Sequence, residues 1–296
     1  MEMKGEYMSG KFWARQWRAS LVAAGVAAAL LVISGAWAVH AQSAATPAAP
    51  VQPQPPATVP TEIRVHVLAR GGKYLGDDIG GARVTIRDAL SGEVLASGVT
   101  RGGSGPADLM TVKQARTTPL PTDGASVFTT TLDLAEPRLL EFEAYGPLAA
   151  QGSAQRVTST EWVLPQPFTA DGNRVTLELA GLNVDIRDPQ THFLPKTKPP
   201  LPIPLRVNVT MMCGCPIGPG LAWEPDAFRV MLLVKRPDGQ QELVELAFDA
   251  DAPDGAPSQF IGSYTATLPG IYAGIVLAHE ADFGNSGSDR VTWIVP

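Results

Sequence analysis

Residues 63–67 read Ile-Arg-Val-His-Val, and their strict alternation of apolar and polar side chains decides the fold. Successive side chains of an extended chain point to opposite faces, so a half-buried strand repeats its apolar residues at every second position. The same period returns at Val84 and Ile86, at Val175, Leu177 and Leu179, and at Val184 and Ile186. Turn chemistry separates these runs at Gly71-Gly72, Ser91-Gly92, Asp123-Gly124 and Asp171-Gly172. This first region shows no sustained apolar stripe at helical spacing. The reading is an antiparallel β-sandwich over residues 62–187, with His66 on its outer face and residues 106–124 as a long irregular loop.

Downstream, residues 188–204 (DPQTHFLPKTKPPLPIP) hold six prolines among 17 residues. Proline cannot donate to a strand ladder, so this stretch reads as a linker or an edge. Alternation resumes at once over residues 205–296. Its strands run through Leu205, Val207, Val209 and Met211; Phe228 to Val234; Val244 to Phe248; Tyr264 to Leu268; Tyr272 to Ala278; and Val291 to Val295. Pro237-Asp238-Gly239 supplies a hairpin turn, and the size suits an immunoglobulin-type sandwich. The fold class is therefore all-β, with two consecutive antiparallel β-sandwich domains. Composition agrees: Gly 29, Pro 27 and only 18% charged residues among 296 favour short strands and frequent turns.

Upstream of Glu62 the chain changes character. Lys11, Arg15 and Arg18 precede an uncharged apolar run, residues 21–39, and Val39-His40-Ala41 offers the spacing of a signal-peptidase site. Roughly 28 Å of helix would result, close to the thickness of a hydrocarbon core. Residues 1–41 thus read as a signal peptide or, if uncleaved, a membrane anchor, with the remainder translocated. Residues 42–61 are rich in Pro and Ala and lack hydrophobic periodicity, which describes an extended, disordered linker. Localisation is expected to be periplasmic or at the cell surface. Without residues 1–41 the chain keeps 19 of its 23 bases and 27 of its 29 acids, a formal −8. An acidic body without a basic cluster excludes nucleic acid as a partner.

Two resemblances sharpen the fold. Residues 62–105, through IRVHVLA, GGARVTIRDALSGEVLASGVT and the glycine-rich turn at Gly102-Gly103-Ser104-Gly105, resemble the carboxypeptidase-regulatory-like (transthyretin-like) domain. That resemblance implies an accessory or adhesive module with no catalytic residues to carry over. It also suggests an accessory part of an exported hydrolase system. The C-terminal stretch LPGIYAGIVLAHEADFGNSGSDRVTWIV resembles the last two strands of bacterial immunoglobulin-like domains, through Gly270, Tyr272, Val276, Ala278, Asp282, Gly284, Asn285 and Gly287.

The two cysteines sit together in Met211-Met212-Cys213-Gly214-Cys215-Pro216. In an oxidising compartment Cys213 and Cys215 are expected to pair, with Gly214 permitting the bend. The alternative is soft-metal ligation, since two thiolates and a thioether from Met212 or Met211 suit Cu(I), with His279 on a neighbouring strand adding an imidazole. A labile redox disulfide is a third possibility. Asp249, Asp251 and Asp254 imitate a calcium loop, but the twelfth position is Phe260 rather than a bidentate acid. Asp282, Asn285 and Asp289 read as turn residues. No nucleophile elbow, phosphate loop or H-E-x-x-H is present. No cofactor is expected, copper aside. The functional expectation is a non-catalytic binding or assembly module that meets an envelope protein or a glycan, with contact to the membrane through residues 21–39 if they are retained.

Overall fold

A computed structural model describes residues 57–111, 119–169 and 172–296. The expected export segment and residues 42–56 of the expected linker lie outside the described residues, as does the middle of the 106–124 loop. Of that loop, Asp108–Thr111 is a single helical turn.

The first sandwich is built from eight strands: Val59–Ala69 (β1), Arg83–Asp88 (β2), Val94–Val99 (β3), Arg101–Ser104 (β4), Ala125–Leu134 (β5), Arg138–Gly146 (β6), Gln155–Val163 (β7) and Asn173–Leu179 (β8). They form two four-stranded sheets, ordered β4-β5-β1-β8 and β3-β2-β6-β7. All pairings but one are antiparallel. β1 and β8 run parallel, from Ile63 opposite Asn173 to Ala69 opposite Leu179. A parallel pair needs a long crossover, and here strands β2 to β7 provide it. Ile63, Val65 and Val67 of β1 pack inward with Val84, Ile86, Leu140 and Phe142 of the facing sheet, all fully buried. Gly102 to Ser104, expected as a turn, form the short and irregular strand β4, with a register shift between Gly103 and Ser104.

The second sandwich contains Leu182–Asp188 (β9), Leu201–Met211 (β10), Phe228–Lys235 (β11), Gln241–Phe248 (β12), Gln259–Ala266 (β13), Gly270–Glu280 (β14) and Asn285–Val295 (β15), in the order β15-β14-β11-β12-β13-β10-β9. β12 reaches β13 through only Ala247 and Phe248, so the sheet folds there into two layers. One layer is β12-β11-β14-β15 and the other β13-β10-β9. Between them Trp293 stacks on Tyr272, with ring centroids 5.6 Å apart and planes 8° off parallel, and Tyr264 packs on both rings. Near the start of β14, the Tyr272 hydroxyl donates to the Leu268 carbonyl (2.9 Å) and accepts from the Leu268 N–H (3.0 Å). A tyrosine bonded back to the chain at this corner marks immunoglobulin-like sandwiches. This half of the chain is immunoglobulin-like.

The strand pairing moves the expected domain boundary. Residues 182–187, assigned from the sequence to the end of the first sandwich, pair with β10, Val184 opposite Val209 and Leu182 opposite Met211. The proline-rich stretch 188–204 is therefore the connection between the first two strands of the second sandwich, and only residues 180–181 join the two sandwiches. Part of that stretch is itself strand: Pro202 and Pro204 lie in β10 opposite Thr265 and Ser263. Sharing one parity, their N–H-less nitrogens face the same side, and β9 pairs with β10 only from Arg206 onward. β1 likewise begins at Val59, ahead of the expected Glu62.

The hydrophobic cores of the two sandwiches are continuous, running from Ile63 and Leu75 through Leu182, Met211 and Cys213 to Trp293.

Candidate functional site

The Cys-Gly-Cys turn closes the end of β10. Gly214 takes φ +77, which a residue without a Cβ adopts at little cost. Its N–H donates to the Met211 carbonyl (2.8 Å), and the Met211 N–H donates to the Cys215 carbonyl (3.1 Å). Cys213 and Cys215 are joined as a disulfide with Cα atoms 5.3 Å apart. Both are buried, as are Met211 and Met212.

This turn sits where the sandwiches meet. A Cβ on Gly72 would lie 3.0 Å from the Cys213 sulfur, one on Gly181 would lie 2.9 Å from the Met212 methyl, and one on Gly71 would lie 2.9 Å from the Phe283 ring. Asn285 is the polar centre of the junction. Its Oδ1 accepts from the Gly181 N–H (2.9 Å), while its Nδ2 donates to the Arg70 carbonyl (3.2 Å) and to the buried Glu280 carboxylate (3.3 Å). Glu280 also accepts from the N–H groups of Asp282 and Phe283. Asp289 accepts from the Ile186 N–H (2.9 Å), tying β15 to β9. The trio Asp282, Asn285 and Asp289 thus includes two side chains committed to holding backbone. Among the described residues, no group of three or more His, Cys, Asp or Glu side chains is placed to hold a metal ion.

His279 is brought elsewhere. It stands on the exposed outer face of β14, opposite Arg229 of β11, and its Nδ1 pairs with the Ser286 hydroxyl at 3.0 Å. Cys213 and Cys215 follow β10, in the other layer, on the core side. His66, expected on an outer face, is buried: the return of the chain after Gly71-Gly72 sets Tyr74 against β1, its ring 5.4 Å from the imidazole. The imidazole Nδ1 lies 2.8 Å from the Ser126 carbonyl, so the neutral ring carries its proton there. Burial, with Arg174 and Arg64 nearby, holds the His66 pKa below its usual value.

Sequence reasoning did not single out the outer face of the β12-β11-β14-β15 layer. Its registers place Leu243, Leu233 and Ile275 in one row, and Met231 and Leu277 in the next. Leu243 is 61% exposed and Leu277 40%, while the other three are half-buried. Both faces of these strands are apolar at this point, which a period-two reading credits entirely to the core. Around the five stand Arg229 and His279 at one end, Lys235 at the other, Arg290 beside Ile275 and Glu245 beside Met231. On a body of formal charge −8, this face carries three permanent cations against one anion.

No family model matches this chain. No curated protein matches it either. Among solved structures, an engineered protein is similar at 16% identity over 45% of this chain and 24% of its own, with a TM-score of 0.27. This chain therefore spans about a quarter of that structure's length. The fibronectin(III)-like modules of Clostridium thermocellum CbhA share 12% identity over 79% of this chain and 90% of theirs, with a TM-score of 0.25. A tetra-tandem repeat from the extending region of a large adhesion protein shares 13% identity over 79% of this chain and 49% of its own, again with a TM-score of 0.25. Superpositions this loose carry no argument, and the fold rests on the strand order and the Tyr272 corner.

Proposed function

We propose that this protein is an exported, non-catalytic binding module of the cell envelope, and that a protein partner docks on the outer face of β12-β11-β14-β15. The observation that carries the reading is the apolar centre Leu243, Leu233, Ile275, Met231 and Leu277 inside its basic rim. Contiguous apolar surface that folding leaves open, rimmed by charge, is the anatomy of a contact site. The rim selects the occupant. Two copies meeting face to face would oppose Arg229, Lys235 and Arg290 to themselves, so the partner is a different protein with an acidic border around an apolar patch. Export is supported by the basic flank and apolar run at residues 11–39. The hairpin pattern over residues 62–105 supports a carboxypeptidase-regulatory-like accessory module for the first sandwich. For Cys213 and Cys215 we favour a structural staple over copper or thiol exchange, because the sulfurs are joined and buried and His279 faces solvent.

The test is cross-linking capture from envelope fractions with wild type, with Leu243→Asp/Leu277→Asp, and with a control carrying Glu141→Gln on the first sandwich. One protein captured by wild type and control, lost with the double variant and weakened as salt rises, is the expected result. Equal capture by all three, or a self-associating wild type that the double variant makes monomeric, overturns the reading.

A further inference from the structure

Loops β1–β2, β6–β7 and β8–β9 of the first sandwich face the second one. The opposite pole is formed by the start of β1, the β2–β3 hairpin, the β5–β6 connection between the two sheets and the end of β7. A cleft of about 530 Å³ lies between the sandwiches, but another of about 500 Å³ lies at this far pole and carries the more telling residue. Trp162 of β7 lines the far cleft and is 65% exposed. It stands directly opposite Leu139 of β6, whose half-buried side chain shares its face and supports it. No aromatic or cationic group of the described residues stacks on this indole.

The polar groups of the cleft are arranged around a fixed point. Arg138 donates through Nε to Asp88 (2.7 Å), whose other oxygen accepts from the N–H groups of Leu90 (3.0 Å) and Ser91 (2.7 Å) and from the Ser91 hydroxyl (2.9 Å). Those bonds hold the Asp88 carboxyl well below the usual carboxylate range, so it stays ionised and Arg138 stays anchored. The guanidinium has four further N–H donors, and its side chain is 38% exposed. Asp133 at the end of β5 and Glu136 in the β5–β6 connection, both exposed, add acceptors.

We infer that this cleft binds a neutral saccharide. A bare indole beside convergent donors and acceptors matches a pyranose, whose C–H face packs on an aromatic ring while its hydroxyls both donate and accept. Three carboxylates against one guanidinium exclude a phosphate or sulfate chain, which an exposed ring alone would admit. The site is independent of the proposed docking face, which lies on the other sandwich.

The experiment is calorimetric titration of residues 42–296 with cellohexaose and with the hexamer of N-acetylglucosamine, beside heparin hexasaccharide as the anionic control. Wild type is expected to bind at least one neutral hexamer, to quench Trp162 fluorescence as it does so, and to ignore heparin. Trp162→Ala should weaken that binding at least tenfold, and Asp133→Asn/Glu136→Gln should weaken it severalfold, with thermal midpoints unchanged. Trp162→Phe should bind between wild type and Trp162→Ala, which separates a stacking platform from an incidental surface residue. Absence of binding to both neutral hexamers, equal binding by wild type and Trp162→Ala, or preference for heparin each overturns the assignment.

Discussion

The Tyr272 hydroxyl illustrates how one atom fixes a corner of the fold. It satisfies both the N–H and the carbonyl of Leu268, in a place where β13 must turn into β14. Tyr272→Phe keeps the ring stacked on Trp293 and removes both bonds, so denaturant unfolding should show a loss of about 1–3 kcal/mol with an unchanged slope. His66 makes a pH prediction whose sign follows from its environment. Its pKa in the folded protein lies below the 6.5 of the free side chain, so below pH 6.5 the unfolded state binds more protons. The stability of the neutral ring is present above pH 6.5 and drains away as pH falls from there toward the folded pKa. The slope in that window should not exceed about 1.4 kcal/mol per pH unit for this one group. His66→Asn, which keeps a donor for the Ser126 carbonyl, should flatten the slope in urea titrations between pH 6.5 and 5. For Cys213 and Cys215, the double alanine variant should lose roughly 2 kcal/mol, the loop-closure value for so short a ring. Thiol titration of the native wild-type protein should read zero even after mild reductant, because both sulfurs are buried.

At the scale of strands, most of the fold was legible in the sequence. Alternation marks β1, β2, β8, β10, β11 and β14, because each buries one face and keeps its period over four residues or more. What alternation cannot supply is the partner of a strand. β9 carries Val184 and Ile186 in a period that would suit either sandwich, and only pairing with β10 assigns it. The prolines misled for a related reason: Pro202 and Pro204 look like a break, yet they fall where one edge of β10 is unpaired. The outer apolar rows of β11, β12 and β14 went unread because a period-two reading assigns the apolar side chains of a strand to the core, whichever face they stand on. His66 failed through tertiary cover, since nothing local announces that Tyr74 will close over it. The β9 assignment has a direct check. A fragment starting at Leu201 keeps all of β10 but leaves the β9 side of Val207 and Val209 unpaired and Met211 without Leu182, and should aggregate or melt far below one starting at Gly181. Equal thermal stability of the two fragments would return β9 to the first sandwich.

Across the whole molecule, the short junction and the continuous core make a claim about cooperativity. Independent domains on a flexible linker unfold in separate steps, whereas here a linker of two residues leaves the chain no room to separate the sandwiches. The junction is closed by groups from both sides. Gly72 accommodates the Cys213 sulfur, Gly71 accommodates the Phe283 ring, and Asn285 bonds Arg70, Gly181 and Glu280 at once. Each is a contact that one sandwich cannot keep if the other unfolds, and Asn285→Ala would leave the Gly181 N–H and the Arg70 carbonyl without this partner and take one donor from the buried Glu280 carboxylate. Calorimetry of residues 42–296 should therefore show one endotherm, with calorimetric and van't Hoff enthalpies equal. Gly71→Ala has two strikes against it, a φ of +67 and a Cβ 2.9 Å from the Phe283 ring, and should lower the stability of the entire unit by about 1–3 kcal/mol. The diagnostic outcome is that the endotherm moves as a whole. A wild type that melts in two steps, or a Gly71→Ala variant in which only part of the endotherm shifts, would mean that the shared core does not couple the sandwiches.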